Sequence, residues 1–294
     1  NAVGVFRWQR GYTCMTETTN PLLLSKGIGL ALPAMLLLAI FFVAPVASLL
    51  LRSVTEPQLG LQNYKTLIAT TTYAKIFWNT FLVATVVTIV TILLGYPVAW
   101  LLSILPGQWA AIGFGIILLS MWTNLLARTY AWMVLLQSTG VINRALKALG
   151  IIDTPLQLIN NLTGVTIGMV YIMLPFFILP LQATLRTIDP AILQAASLCG
   201  AGRWQAFWRV LLPLSLPGIL SGGLIVFVMS LGYFVTPALL GGTSNMMLAE
   251  LIAQLVQSLL NWGLGGAAAF VLLVLTLALY ALQVRLLGAP GRER

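Results

Sequence analysis

The sequence predicts an all-α, polytopic membrane protein of about six transmembrane helices. Three observations lead there. Of its 294 residues, 60% are hydrophobic and only 7% are charged, against roughly 25% charged in a soluble domain. The few charges leave long stretches bare, so that no residue between Lys75 and Arg128 is charged at neutral pH. About 20 apolar residues cross a bilayer as a helix, and several runs of that length are present.

Charges and prolines divide the chain in order. Residues 1–25 carry Arg7 and Arg10 without an apolar run of their own, and read as a cytoplasmic tail. Lys26 and Arg52 bracket a first span at 28–51, with Pro33 and Pro45 inside it. Prolines persist in membrane helices where neighbours satisfy the freed carbonyls. This helix and its outer loop make a first segment, 26–76. The transmembrane core, 77–287, opens with the bare run, which is too long for one span and breaks at Pro106-Gly107-Gln108. Two helices are therefore expected, at 77–105 and 110–136. Asp153 and Arg186 bracket a fourth at 165–185, kinked at Pro175 and Pro180. Arg209 and Glu250 bracket a fifth at 211–235, and a sixth follows at 267–287. Residues 288–294 form a second cytoplasmic tail.

Two shorter helices are expected in the outer loops. One is NRALKALG, 143–150, with Gly150 at its C′ position. The other is AELIAQLVQSLLNW, 249–262, lying along the outer face.

Lys and Arg set the orientation. With both termini inside, the inner side holds Arg7, Arg10, Lys26, Arg186, Arg203, Arg209, Arg285, Arg292 and Arg294. The outer loops hold only Arg52, Lys65, Lys75, Arg144 and Lys147. This arrangement also accounts for the net charge of +9. No basic stripe interleaved with aromatics is present, so nucleic acid is not an expected partner.

Several chemistries are excluded. There is no histidine, which removes Ser-His-Asp and Cys-His catalysis and imidazole-bound zinc. No G-x-x-x-x-G-K-[ST] loop occurs, so the chain carries no P-loop for ATP. Cys14 and Cys199 do not suggest a pair. No catalytic residue and no metal site are assigned.

The loop between the fourth and fifth helices is the most patterned part of the chain. Asp189-Pro190 suits an N-cap followed by the first helical residue. Ile192, Ala195, Ala196 and Cys199 share one helical face, and Gly200 with Gly202 ends the helix. A second helix, bearing Trp204, Phe207, Trp208 and Leu211 at the same spacing, is expected to stop at Pro213. On composition alone this is an interfacial helix pair at headgroup level. Its spacing carries more. Gln194-Ala195-Ala196, then Gly200, then Val210, Leu212 and Pro213, resembles the EAA motif of ATP-binding-cassette importer permeases. That motif reads Glu-Ala-Ala, three residues, Gly, nine residues, an aliphatic, one residue, Leu-Pro. Gln194 is the one departure: it lacks the formal charge but keeps hydrogen-bonding capacity.

The resemblance extends over roughly residues 28 to 285. LLGYPVAWLL at 93–102, MWTNLLARTYAWMVLL at 121–136, GMVYIMLPFFILPLQATLRTIDP at 168–190 and GYFVTPALLGG at 232–242 are similar to the polyamine branch of these permeases. The resemblance implies a type I importer permease fold in a bacterial inner membrane, with a short coupling helix at 189–213 docking on an ATPase. It implies a second, different permease subunit, a pair of ATPase subunits that bind ATP and Mg, and an external solute-binding protein. No cofactor is implied in this chain itself. The implied solute is spermidine, putrescine or a relative. Related permeases carry opines, phosphonates or amino-acid-like compounds.

A polycation crossing a low-dielectric path should meet carboxylates or aromatic faces. None of the six expected spans contains Asp or Glu, and Glu250 lies in the outer segment 249–262. Candidate path residues are Trp122, Asn124, Arg128, Tyr130, Trp132, Tyr171, Tyr233 and Phe234. Each aromatic could equally face lipid. Arg128 is either a pathway group, which favours an anionic or zwitterionic solute, or a side chain that snorkels to the outer surface. An ion-driven transporter usually needs intramembrane acids or repeated halves, and neither is evident. A membrane enzyme lacks its usual acid–base groups.

Overall fold

A computed structural model describes residues 33–242 and 245–287. The N-terminal tail, residues 28–32 of the first expected span and the C-terminal tail lie outside the described residues. All regular elements among the described residues are helical. Five helices are long and apolar enough to cross a membrane, or six if a bent pair counts as one span.

The first helix, α1, spans Pro33–Thr55. It widens into a π-turn at Ala39–Val43, where the Ala44 N–H donates to the Ala39 carbonyl. Among the described residues, those up to Ser48 belong to one compact unit and those from Leu49 onward to a second, which holds α2 and all later helices.

After α1 come α2 (Gln62–Ala69) and α3 (Thr71–Ile104). The 34 residues of α3 reach about 51 Å at 1.5 Å per residue, well beyond a hydrocarbon core of about 30 Å. Pro106 precedes α4 (Gly107–Trp122), so the expected break at 106–108 falls where α4 begins.

The expected third span, 110–136, is not one helix. It divides into α4 and α5 (Leu125–Leu136), and the chain beyond the break is bent by 96°. The cause is local. Thr123 is extended, and the Asn124 side chain accepts the N–H groups of Leu126 and Ala127 at 2.9 and 3.3 Å. Asn124 thus caps a new helix where an apolar residue would have continued the old one.

Helix α6 (Val141–Ala148) ends as expected at Gly150, whose φ is 69°. The Gly150 N–H donates to Lys147 O at 3.1 Å and the Ile151 N–H to Leu146 O at 3.0 Å, a Schellman closure. Helix α7 (Leu162–Thr187) runs through Pro175 and Pro180. The Asn161 side chain caps it by accepting the Gly164 N–H at 2.9 Å.

Helix α8 covers Pro190–Leu198, and α9 runs from Arg203 to Leu231. The second short helix of the patterned loop therefore does not stop at Pro213; it is the start of α9. A π-turn at Phe207–Leu211, closed by the Leu212 N–H on Phe207 O, precedes the proline. Proline has no N–H to give and its ring crowds the carbonyl four residues back. The wider turn accommodates both, and Pro213 sits in the first turn of the regular α-helix that follows.

The fifth expected span also ends early. Gly232 caps α9, and α10 (Val235–Leu240) restarts after it. Helix α11 covers Leu248–Gln257, shorter than the expected 249–262. Leu260 takes a φ of 51°, and the Asn261 side chain accepts the Leu264 N–H at 3.1 Å. These two residues close one helix and open α12 (Trp262–Leu287), which begins five residues before the expected 267.

The core is formed by α3, α7 and α9, whose faces supply Val83, Val87, Phe177, Leu181 and Val226, all fully buried. Glycines permit the approach. A Cβ on Gly95 would lie 2.5 Å from the Phe177 ring, and one on Gly222 would lie 3.0 Å from the same ring and from the Phe177 carbonyl. One on Gly218 would meet Thr184 Oγ1 at 2.6 Å. Small residues let membrane helices approach closely where lipid offers no hydrophobic drive to associate. Tyr96 and Ser215 add a hydroxyl–hydroxyl bond of 3.2 Å between α3 and α9. Thr80 on α3 accepts the Leu248 N–H at 2.8 Å, fastening α11.

Gly95→Ala is expected to lower the thermal midpoint of the detergent-solubilised protein, with a destabilisation of about 1–3 kcal/mol, as for overpacked cores. Gly115→Ala, with open space around the added methyl, is expected to leave the midpoint unchanged. Equal melting curves for the two variants would show that the α3–α7 approach is not limiting.

Candidate functional site

The patterned loop is built from strong local signals. The Asp189 carboxylate accepts the Ala191 N–H at 2.9 Å, and Pro190 occupies the first turn of α8. At the other end Gly200 adopts a φ of 85°. Its N–H donates to Ser197 O and the Ala201 N–H to Ala196 O, both at 3.0 Å. This is the same Schellman closure as at Gly150, and only a residue without a Cβ takes that backbone freely. Gly202 then N-caps α9, and its N–H donates to Gln205 Oε1 at 3.3 Å. A four-residue turn thus joins α8 directly to a helix of 29 residues.

The inward face of α8 differs from the one expected. Leu193 packs against the core and Ala196 is half-buried, while Ile192, Ala195 and Cys199 are exposed. The periodicity of Ile192, Ala195, Ala196 and Cys199 is real, but most of that stripe stays open. Gln194 is exposed beside it, as is Leu198, 88% accessible. No atom lies within 4 Å of where a Cβ on Gly200 or Gly202 would stand. Val210 and Leu212 are half-buried, Leu212 against the core, and Pro213 is exposed. The seven motif residues therefore divide into a stretch of α8 with Gln194 and Ala195 exposed and Ala196 half-buried, the turn at Gly200, and the first part of α9 (Val210, Leu212, Pro213).

A second constellation lies around α5 and α10. Arg128 and Trp132 are one turn apart on α5. The Trp132 ring meets Tyr171 of α7 edge-on at 5.6 Å. Tyr233 is half-buried, and its hydroxyl, near Thr236, is buried without a partner and close enough for the Arg128 charge to act on it. The Arg128 Nε is also buried without a partner. Thr129 and Thr236 join α5 to α10 through hydroxyls 3.4 Å apart. Arg128, Trp132, Tyr171 and Tyr233 thus form one neighbourhood. The other four candidates do not belong to it: Trp122 is 89% exposed, Tyr130 and Phe234 are exposed, and Asn124 is occupied as a helix cap. Among the described residues no three His, Cys, Asp or Glu side chains gather as a metal site.

Two features escaped the sequence. Thr91, Gln182 and Ser230 sit buried on α3, α7 and α9 with hydrogen-bonding atoms unpaired. A glutamine within the apolar run ILPLQATL was the available signal for one of them. Glu250, in the first turn of α11, has one carboxylate oxygen buried without a partner. Burial raises its pKa above the usual carboxylate value, opposed in part by a backbone hydrogen bond at Met247.

Comparison with known proteins gives a consistent relationship. Residues 21–287 match the family model described as the binding-protein-dependent transport system inner membrane component. The spermidine/putrescine transport system permease protein PotB of Haemophilus influenzae is 35% identical over 73% of this chain and 75% of its own length. PotB of Escherichia coli is 33% identical over 78% of this chain and 84% of its own. The inner membrane ABC transporter permease protein YdcU of Escherichia coli is 34% identical over 79% and 77%. In fold, the chain is similar to a bacterial alginate ABC transporter solved in complex with an alginate pentasaccharide-bound periplasmic protein. There the TM-score is 0.71 at 19% identity, covering 91% of this chain and 96% of that one. An inward-facing MetNI methionine ABC transporter gives a TM-score of 0.54 at 20% identity over 73% and 94%.

Glu250 yields a pH test. Its folded pKa is raised, so the folded state binds this proton more tightly than the unfolded chain does. The fold therefore loses stability as pH rises from below the ordinary carboxylate pKa to above the folded one. Glu250→Gln is expected to melt with wild type at pH 4 and above it at pH 8, read by thermal shift in detergent. A constant difference across pH would remove Glu250 as the source.

Proposed function

The chain belongs to the family of binding-protein-dependent transport system inner membrane components, and from that membership we propose how it moves its solute and which solute it moves. It is a multi-pass inner membrane protein, a permease subunit of an ABC importer rather than an enzyme in its own right. The solute is spermidine, putrescine or a closely related amine, as the names of the PotB relatives suggest. A second, different permease subunit completes the path, two ATPase subunits bind ATP and Mg, and a solute-binding protein delivers cargo from outside. Both termini lie in the cytoplasm.

The observation that carries this reading is the form of the 189–213 loop. Helix α8 offers an open face of small residues and one amide side chain. Gly200 turns the chain, and α9 continues without interruption into the α3–α7–α9 core. A force applied to α8 by a closing ATPase pair reaches the core through one helix. Ala195 and Ala196 allow close approach, and Gln194 supplies a neutral hydrogen-bonding contact in place of the motif's acid.

A second reading concerns the solute. Arg128 presents a buried, unpaired Nε next to aromatic rings. That group favours an anionic or zwitterionic solute, as in the opine, phosphonate or amino-acid-like branches, and opposes a bare polycation.

The test is uptake by proteoliposomes holding the full complex with its binding protein and internal ATP. Gly200→Val forces a β-branched residue into left-handed backbone, a strain of at least about 1–2 kcal/mol. It is expected to reduce coupled uptake by roughly tenfold, with ATP hydrolysis no longer stimulated by loaded binding protein. Normal uptake with normal stimulation would overturn the coupling assignment. Gln194→Glu is expected to retain assembly and transport. For a polyamine, Arg128→Gln leaves uptake equal or faster; for an anionic solute it lowers it.

A further inference from the structure

A cavity of about 900 Å³ opens at the end of the bundle that carries the 189–213 loop. It lies between the 189–213 loop and α3, away from the neighbourhood of Arg128. Leu93 and Pro97 of α3 form one wall, Leu211 and Ile219 of α9 the other, and Leu193 of α8 closes one end. We propose that this cavity binds a phospholipid with an anionic headgroup, its acyl chains along α3 and α9 and its phosphate on Arg203.

Four observations favour that occupant. The two long walls come from helices apolar enough to span a membrane, where acyl chains would lie. Leu93 is 66% exposed, leaving an entrance from that side. The volume lies near the top of the ~300–1,000 Å³ typical of small-molecule sites. Its lining is almost wholly apolar, a poor home for water, which needs two to four polar partners.

The polar features converge at one end. Arg203 is the only charged residue of the lining. It opens α9, so its guanidinium and the helix N-terminus present positive charge at one point. A planar guanidinium fork matches phosphate oxygens in pairs. Trp204 and Trp208, 73% and 58% exposed, follow on the same helix, as expected at headgroup depth. Both hydroxyls of the lining are already engaged, Tyr96 with Ser215 and Ser197 as donor to the Gln194 carbonyl. The lining thus runs from apolar to cationic in the order of a phospholipid, chain first and headgroup last.

Position gives the site a consequence. A lipid held between α8 and α3 stands behind the docking face, where it sets how far α8 can move towards the core. That consequence rests on the coupling role proposed for the loop; lipid binding itself does not.

The experiment uses the full transport complex in nanodiscs of phosphatidylcholine, with and without phosphatidylglycerol. Native mass spectrometry counts retained lipids, and ATPase stimulation by loaded binding protein is measured in parallel. Wild type is expected to retain phosphatidylglycerol in preference to phosphatidylcholine. Arg203→Ala is expected to lose that preference several-fold, and Leu93→Trp, which obstructs the entrance, to lose retention of both lipids. Equal retention by wild type and both variants overturns the proposal. A photo-crosslinker at position 93 that captures a partner subunit instead of lipid also overturns it. Selective retention with unchanged ATPase stimulation in every variant upholds the site and removes only the coupling consequence.

Discussion

The structure depends on how closely α3, α7 and α9 approach around Phe177. That side chain is fully buried, with Gly95 on one side and Gly222 on the other. In lipid, helices gain nothing by hiding apolar surface from one another, so association rests on van der Waals contact and a few hydrogen bonds. Contact energy falls off within about an ångström of the optimal separation. Two missing methyl groups therefore decide whether the three helices pack or merely lie near each other. Gly218 against Thr184, and Tyr96 against Ser215, extend the same seam towards the loop end. Thr80 against the Leu248 amide extends it the other way.

That seam gives the patterned loop something to act on. A short helix at the membrane surface transmits little if a flexible linker joins it to the core. Here the linker is residues 199–202, closed by two hydrogen bonds at Gly200 and one at Gly202. Beyond it α9 runs without interruption, and Pro213 does not hinge it because the π-turn at Phe207–Leu211 has already absorbed the proline's lost donor. The ring of Phe207 meets Tyr96 edge-on at 5.7 Å, so the π-turn itself is anchored to α3. Displacement of α8 must therefore rotate α9 against α3 or break that packing.

Much of this was legible in the sequence, and the reasons for the rest are specific. Charge-free runs and their bracketing residues located every long helix but the third, which is broken, with ends up to eight residues off, since the bilayer imposes length and apolarity on every span. The caps were legible too: Asp189-Pro190, Gly150 and Gly200 each encode a backbone geometry that few other residues adopt. Asn124 was misread. Within an apolar run it suggested a pathway group, but its side chain reaches its own backbone first and starts a helix. Pro213 was misread for the opposite reason, because a π-turn is a response to packing and leaves no composition of its own. Which candidate aromatics meet was beyond reach as well. Trp132 and Tyr171 are 39 residues apart in the sequence, and only the pairing of α5 with α7 brings their rings together.

The buried polar atoms are the feature that pattern alone does not reach. Thr91, Gln182 and Ser230 lie one on each core helix, and all three leave hydrogen-bonding capacity unmet. An unpaired buried donor or acceptor costs about 1–3 kcal/mol, so a bundle shaped for rigidity alone would have replaced them with apolar residues of like size. Arg128 and Tyr233 make the same argument at higher stakes, since a cation is harder to bury than a hydroxyl. These groups are deficits of the single chain. The spans hold no carboxylate to pair with Arg128, and Glu250 of α11 is itself incompletely paired. Whatever satisfies them is water, solute or another subunit, and each enters only where the packing seam around Phe177 leaves room.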